Sequence, residues 1–321
     1  MKRPMQLLTR LTLTALLTLA GCSDESTDAA DTTQADAALD AATSDTATDA
    51  STCTPSKRAE APATLDAERP ATVYLPKDWD GCKPYPLVIL LHGYSANGVI
   101  QNAYLGLSAR VDSHGFVLLV PEGSKAPNGN QFWNATNACC DFYNQGIDDV
   151  GYIRGLITAA KAQLAVDPER VYLFGHSNGG FMSYRMACEA SDLVTGIVSL
   201  AGAVTATAAS CTPTQPVNVL QIHGTKDKTI KYLGDQLYPS AEQAIARWRT
   251  LDNCKGAPST MAAIDFDNAA TGAETTGQSW NSCDQGTQVG LWTMQDSGHI
   301  PGFNDAFRDA VLDHLLAFQR K

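Results

Sequence analysis

The segment that most restricts the fold of this chain runs from residue 171 to residue 187. Val171-Tyr172-Leu173-Phe174 is a short β-prone apolar run, Gly175-His176-Ser177-Asn178-Gly179-Gly180 follows it, and Phe181-Met182-Ser183-Tyr184-Arg185-Met186-Ala187 is a helical run. A strand that passes into a helix through G-x-S-x-G turns sharply, which strains the Ser backbone and requires small residues two before and two after it. The rest of the chain repeats the alternation. Candidate strands are Ala71–Leu75, Leu87–Leu91, Phe116–Val120, Val171–Phe174, Ile197–Ala201, Val217–Ile222 and Val289–Thr293, and helices are expected near 98–113, 148–165, 178–190, 240–252 and 304–319. Short Val/Ile/Leu runs alternating with helical segments are the pattern of a mostly parallel sheet with helices on both faces, an α/β fold. Residues 256–287, rich in Gly, Thr, Ala and Asp, read as a long loop or irregular hairpin. With no internal repeat and no second linker, residues 61–321 are expected to form one domain.

The sharp turn presents the Ser177 hydroxyl above the sheet, so Ser177 is the candidate nucleophile. A serine hydroxyl is weakly nucleophilic at neutral pH; a base must take its proton and an acid must orient that base. Val217–Ile222 leads into His223-Gly224-Thr225-Lys226-Asp227, which puts Asp227 in a loop at the C-terminal end of a strand, nearer a strand end than Asp235 or Asp252. Trp292-Thr293-Met294 leads to Gln295-Asp296-Ser297-Gly298-His299, a loop His before the last helix. Of the other histidines, His92 and His223 sit in His-Gly pairs at strand ends, His176 is the variable position of the motif, His114 ends a helix and His314 lies inside one. The order Ser177, Asp227, His299 is that of α/β-hydrolases and of neither chymotrypsin nor subtilisin. Acyl transfer also needs donors for a developing oxyanion, for which the backbone N–H groups of Asn178 and Tyr94 are the candidates. Tyr94, Trp133 and His176 are candidate pocket residues, with Tyr143 beside them; the alternative for the aromatics is a place in the core. Asp148 and Asp149 read as the N-terminal cap of a helix. No CxxC pair or His-rich cluster at metal spacing occurs, so zinc is not expected, and no metal site is assigned.

The N-terminal sixty residues carry an address. Residues 1–21 combine a basic start with the ten-residue apolar stretch Leu11–Ala20, too short for a membrane span, and read as a signal peptide. Leu19-Ala20-Gly21-Cys22 resembles the bacterial lipobox, which makes Cys22 the expected lipidation site. Residues 22–60 are expected to be a disordered tether, because 23–52 are almost entirely Asp, Ala, Thr and Ser with a single large apolar residue, Leu39. Eight acids in 23–52 carry most of the formal charge of −11, and an acidic chain of this kind is repelled by nucleic acid and by anionic membrane surfaces. The membrane is therefore expected to be reached through the lipid alone. Nine cysteines less Cys22 leave eight in an exported chain, so disulfides are expected. Proximity in sequence favours Cys188–Cys211 and Cys254–Cys283, leaving Cys53–Cys82 and the adjacent Cys139–Cys140.

With His92-Gly93-Tyr94, Gly175-His176-Ser177-Asn178-Gly179-Gly180, His223-Gly224-Thr225-Lys226-Asp227 and Gly298-His299 in order, the chain resembles the secreted α/β-hydrolase esterases that include polyhydroxybutyrate depolymerases, feruloyl esterases and related lipoprotein esterases. The resemblance spans about 70–318. It takes in Trp133-Asn134 with Cys139-Cys140, the helix start Asp148-Asp149-Val150-Gly151, and Asp167-Pro168-Glu169-Arg170-Val171-Tyr172. It implies a serine carboxylesterase working through a Ser177 acyl-enzyme without a cofactor, in an extracytoplasmic setting and as a monomer. Plant cell-wall feruloyl esters and polyesters are the substrates it implies. Two departures bear on substrate: His299-Ile300-Pro301-Gly302 lacks the Trp that many relatives carry after the catalytic His, and His176 and Asn178 stand where many depolymerases have Leu and Ala, which favours the feruloyl-esterase side. A serine peptidase of related fold is the competing enzyme, and the absence of an N-terminal propeller-length segment in this sequence argues against the oligopeptidase type. A surface-displayed binding module is the competing non-enzyme, and it has no need of Ser177, Asp227 and His299 together.

Overall fold

The computed structural model describes residues 53–321; the expected signal peptide, Cys22 and residues 23–52 lie outside the described residues. In chain order the elements begin with strands β1 (Thr64–Leu65), β2 (Ala71–Tyr74) and β3 (Tyr85–Leu91) and helices α1 (Gly98–Leu105) and α2 (Val111–His114). Strands β4 (Val117–Val120), β5 (Ser124–Lys125) and β6 (Gln131–Phe132) precede α3 (Asp149–Gln163), β7 (Val166–His176), α4 (Asn178–Glu189) and β8 (Gly196–Leu200). The chain continues with β9 (Asn218–Gly224), α5 (Ala241–Leu251), β10 (Ser259–Ile264), β11 (Thr275–Trp280), β12 (Val289–Met294) and α6 (Asp305–Leu316).

Ten strands form one sheet in the order β1-β2-β4-β3-β7-β8-β9-β12-β11-β10, with the run from β4 to β12 parallel and the flanking strands antiparallel. Every residue of β3 is buried, because both faces of the sheet are covered. Leu87, Ile89 and Leu91 point into the core under α3, α4 and α5, while Val88 and Leu90 point into the core under α2 and α6. This two-sided burial is why the central strands read in the sequence as unbroken apolar runs rather than alternating ones. The architecture is the α/β-hydrolase fold.

The structure differs from the sequence expectation in three places. The helix expected over 98–113 stops at Leu105, where Gly106 takes a left-handed conformation (φ 66°) and its N–H bonds to Asn102 O; a short turn at Ser108–Arg110 then leads into the four-residue α2. Of the two readings of 256–287, the hairpin is the one formed: β10 and β11 extend the sheet beyond β12 and are closed at the base by Cys254–Cys283. Residues 53–60, expected as the end of the tether, are held on the domain by Cys53–Cys82 and by a 2.7 Å hydrogen bond from Ser56 N–H to Asp80 O. Asp148 does cap α3, its carboxylate accepting from Gly151 N–H, but Asp149 is fully buried. Asp149 pairs with Arg69 at 2.7 Å and accepts from Asn134 N–H, tying the start of α3 to two distant loops. Cys139–Cys140 and Cys188–Cys211 complete four disulfides among the eight described cysteines.

Candidate active site

Ser177 stands between the end of β7 and the start of α4 with φ 55° and ψ −117°, a conformation costly for a side-chain-bearing residue. The turn is possible because of its glycines. A Cβ on Gly175 would lie 2.0 Å from Gly179 O, and one on Gly179 would lie 2.2 Å from Leu91 O. The strained residue is held from both sides: Ser177 N–H donates to Leu200 O at 2.8 Å and Ser177 O accepts from Phe181 N–H at 3.0 Å.

Three strand ends meet here. His299, in the loop after β12, places Nε2 2.9 Å from Ser177 Oγ and Nδ1 2.7 Å from Asp227 Oδ2. Asp227 follows β9, and its other oxygen accepts from the N–H groups of Thr229 (2.8 Å) and Ile230 (2.9 Å). Because β9 and β12 are neighbouring parallel strands, their loops emerge side by side, and they are joined by Thr225 N–H to Met294 O and Lys226 N–H to Ser297 O. Burial by itself would raise the Asp227 carboxyl; hydrogen bonds from His223 and His299 and the charge of His299 outweigh it and hold the group well below the usual carboxylate range. This chain of hydroxyl, imidazole and anionic carboxylate can take a proton from Ser177 Oγ and return it to a leaving group.

Two backbone N–H groups on residues beside Ser177 have no hydrogen-bond partner among the described residues. Asn178 is the first residue of α4, so its N–H has no partner within the helix. Tyr94 N–H makes no hydrogen bond among the described residues. The loop carrying Tyr94 is braced by His92, whose Nδ1–H donates to Gly93 O (2.8 Å) while Nε2 accepts from Gly123 N–H (2.8 Å). That pattern fixes a neutral imidazole, and burial pushes His92 down to about 4.

In front of Ser177 and His299 opens a cavity of about 450 Å³ with a mainly apolar wall of Tyr94, Ile100, Tyr104, His176 and Ile300. Tyr94 and His176 thus stand where the sequence placed them, whereas Trp133 does not. Its indole is fully buried, stacked near Tyr152, and its Nε1–H donates to His92 O. The Asn178 side-chain amide grips the Trp133 backbone with two hydrogen bonds of 2.7 and 2.9 Å, and Trp133 is not part of the cavity wall. Tyr143 is about half exposed and is not part of the cavity wall. Phe142, beside it, packs edge-on against Tyr94. Burial pushes His176 down to about 4, and its Nε2–H donates to His299 O at 3.0 Å. Tyr104 Oη–H donates to Pro301 O at 2.9 Å, so the loop bearing His299 is anchored at two carbonyls.

Sequence reasoning did not assign His223, His92 or Gln101. The first two carried a visible signal, a His-Gly pair at the C-terminal end of an apolar strand; Gln101 carried none. Among the described residues no group of three His, Cys, Asp or Glu side chains is placed to hold a metal ion.

Comparison with known proteins points to ester hydrolysis. A family model described as phospholipase/carboxylesterase matches residues 80–261, more than half of the chain. The chain is 29% identical over 245 residues to a putative esterase, NocK, of Nocardia uniformis subsp. tsuyamanensis, covering 71% of this chain and 69% of that protein. It is 25% identical over 246 residues to feruloyl esterase B of Piromyces equi, covering 73% of this chain but only 43% of that protein. Among solved structures, an acetyl xylan esterase from Aspergillus awamori superposes with a TM-score of 0.56 at 14% identity, over 77% of this chain and 94% of that one, a likeness of fold alone.

Proposed function

The chain belongs to the phospholipase/carboxylesterase family of serine hydrolases, and from that premise we propose that it hydrolyses carboxylic esters through an acyl-enzyme on Ser177. The observation that carries the mechanism is the continuous contact from Ser177 Oγ to His299 Nε2 and from His299 Nδ1 to Asp227 Oδ2. His299 takes the Ser177 proton as Oγ attacks the ester carbonyl carbon. The tetrahedral oxyanion is held by Asn178 and Tyr94 N–H, and Asp227 stabilises the imidazolium. The C–O bond to the alcohol breaks as His299 returns the proton to the leaving oxygen. Water, deprotonated by His299, then attacks the acyl carbon, the bond to Ser177 Oγ breaks as His299 returns that proton to Oγ, and the acid leaves. No step calls for a cofactor.

The mainly apolar wall of the cavity supports a substrate with an apolar group beside the ester bond, of the feruloyl or polyester kind. Tyr94 and His176 are its pocket residues in this reading. Four disulfides agree with an exported protein. The lipobox-like Leu19-Ala20-Gly21-Cys22 and the acidic stretch that follows support a catalytic domain tethered outside the cytoplasm by a lipid on Cys22.

The test is a rate comparison of the wild type and Ser177→Ala on p-nitrophenyl acetate, methyl ferulate and a short hydroxybutyrate oligomer. The wild type should turn over at least one of them, and the variant should lose about 10³-fold or more. Equal rates for the two proteins on every ester would sink the reading.

A further inference from the structure

The two N–H groups assigned to the oxyanion stand on different elements. Asn178 opens α4, and Tyr94 lies in the loop after β3. Strands β3 and β7 pair as far as Leu91 and Gly175, so the ladder stops three residues short of each donor. An oxyanion is held well only when both donors lie about 2.7–3.1 Å from it, so something beyond the ladder must set their separation.

A path of buried hydrogen bonds spans the gap. Asn178 Nδ2–H donates to Trp133 O at 2.9 Å, and Asn178 Oδ1 accepts from Trp133 N–H at 2.7 Å. The Trp133 indole Nε1–H then donates to His92 O at 3.0 Å. That oxygen belongs to the peptide just before the one that bears Tyr94 N–H. Asn178, Trp133 and His92 are each fully buried, so water does not compete for these bonds. The same segment grips the loop beyond the donor, where Gln131 O accepts from Ser95 N–H at 2.9 Å. On the near side Gly93 N–H is taken by Gln101 Oε1 at 3.1 Å. Tyr94 N–H is thus left without a partner between two N–H groups that are both fixed.

We propose that Trp133 is a positioning residue: through its indole N–H and the Asn178 amide it locks the Asn178 and Tyr94 N–H groups at the separation a tetrahedral oxyanion requires. The inference rests on the oxyanion assignment in the esterase reading above. Trp133 is not part of the cavity wall, so its effect falls on the oxyanion and not on substrate binding.

The test compares the wild type, Trp133→Phe, Asn178→Ala and the double variant. Trp133→Phe keeps a ring in place and loses the indole donor; Asn178→Ala keeps the backbone N–H and cuts both amide bonds. Each protein is assayed for kcat and KM on p-nitrophenyl acetate and for affinity toward an aryl trifluoromethyl ketone. As Ser177 Oγ adds to that ketone, its proton passes to His299 and the carbonyl electron pair moves to oxygen, giving a stable tetrahedral oxyanion. Each single variant should lower kcat about tenfold and weaken the ketone by the same factor, with KM within about twofold. The double variant should lose little more than either single one, because both cut one path. Trp248→Phe is the control for lost indole volume. Trp248 is equally buried, stacked near Tyr184, and its variant should lower thermal stability while leaving kcat and ketone affinity within about twofold.

Wild-type ketone affinity in Trp133→Phe overturns the proposal, and so does a fall in kcat that the ketone does not follow. An equal fall in Trp248→Phe overturns it as well, since any loosened core would then do the same. Losses that multiply in the double variant rule out a single path. If Trp133→Phe does not fold, Asn178→Ala decides by the same two readings. A wild type that hydrolyses no ester and binds no ketone removes the esterase reading and this inference with it; an active wild type with unchanged variants removes this inference alone.

Discussion

Strand β9 has a buried aspartate at each end, and the two are opposites. At the C-terminal end Asp227 receives two backbone N–H groups and two imidazoles, and its carboxyl is held far below the ordinary range. Near the N-terminal end Asp252, the residue after α5, is fully buried, and neither of its oxygens meets a well-aligned donor among the described residues. Burial pushes Asp252 up to about 7, the Val217 backbone pulls it back only in part, and the charge of Asp284 adds to the rise. The two groups share a chemistry and a degree of burial, so the difference isolates what makes an anion possible inside a protein, namely donors aimed at it. The carboxylate beside His299 is given four such donors, and Asp252 goes without a well-aligned one.

The largest expected break in this contrast is Asp227→Asn. An Asn in that place keeps an oxygen for Thr229 and Ile230 but turns an NH2 toward His299 Nδ1. The imidazole proton then moves to Nε2, which can no longer accept from Ser177. The value of kcat should fall about 10⁴-fold with little change in thermal stability; a loss of less than tenfold would show that His299 does not depend on Asp227.

Asp252 provides the second test, read in stability. Its folded-state pKa lies above the unfolded value, so the folded protein holds the extra proton and its contribution is complete only below about pH 4. Unfolding free energy should therefore drop by roughly 3–4 kcal/mol between about pH 4 and pH 7. In Asp252→Asn that slope should flatten when followed by urea titration, and an unaltered slope would mean that Asp252 is ionised throughout.

His223 sharpens the comparison at the other end. Gln221 Nε2–H donates to its Nδ1 at 3.0 Å, so its own proton sits on Nε2, 2.8 Å from Ile230 O and 3.4 Å from Asp227 Oδ2. His223→Phe removes this donor and should reduce kcat about tenfold, while His223→Gln, able to place an amide N–H in the same region, should recover part of the loss. The smallest effect is expected from Tyr104→Phe, which frees Pro301 O at the edge of the His299 loop and should cost about threefold in kcat/KM. An effect larger than that of His223→Phe would shift the weight of positioning from Asp227 to the loop.

These tests also mark where sequence reading succeeds. Strands β3 and β4 stand out in the sequence because they are buried on both faces and so read as solid apolar runs. Hairpin β10–β11 does not, because β10 is largely exposed and Thr, Ser and Gly fill much of both strands; its pairing depends on lying against β12. The periodicity over 98–113 runs on past the true helix end at Leu105, since one Gly inside an apolar period is a weak stop signal and only the fold gives Gly106 its left-handed conformation. Trp133 shows the same limit in the site. Its composition suits a pocket or a core equally, and the Asn178 amide that bonds its backbone comes from 45 residues away.

From sequence alone came the α/β alternation, the strained strand-to-helix turn at Ser177, and the order Ser177, Asp227, His299 at the ends of successive elements. Those follow from short-range sterics and periodicity, which a few adjacent residues carry. The tertiary structure decided the burial of Trp133, the neutral imidazole of His92, the opposite ionisation of Asp227 and Asp252, and the path of hydrogen bonds from Asn178 through Trp133 to His92. Each of these depends on which donors, charges and apolar surfaces arrive from distant segments, and a carboxyl or an amide carries no mark in the sequence of the neighbours that folding will bring to it.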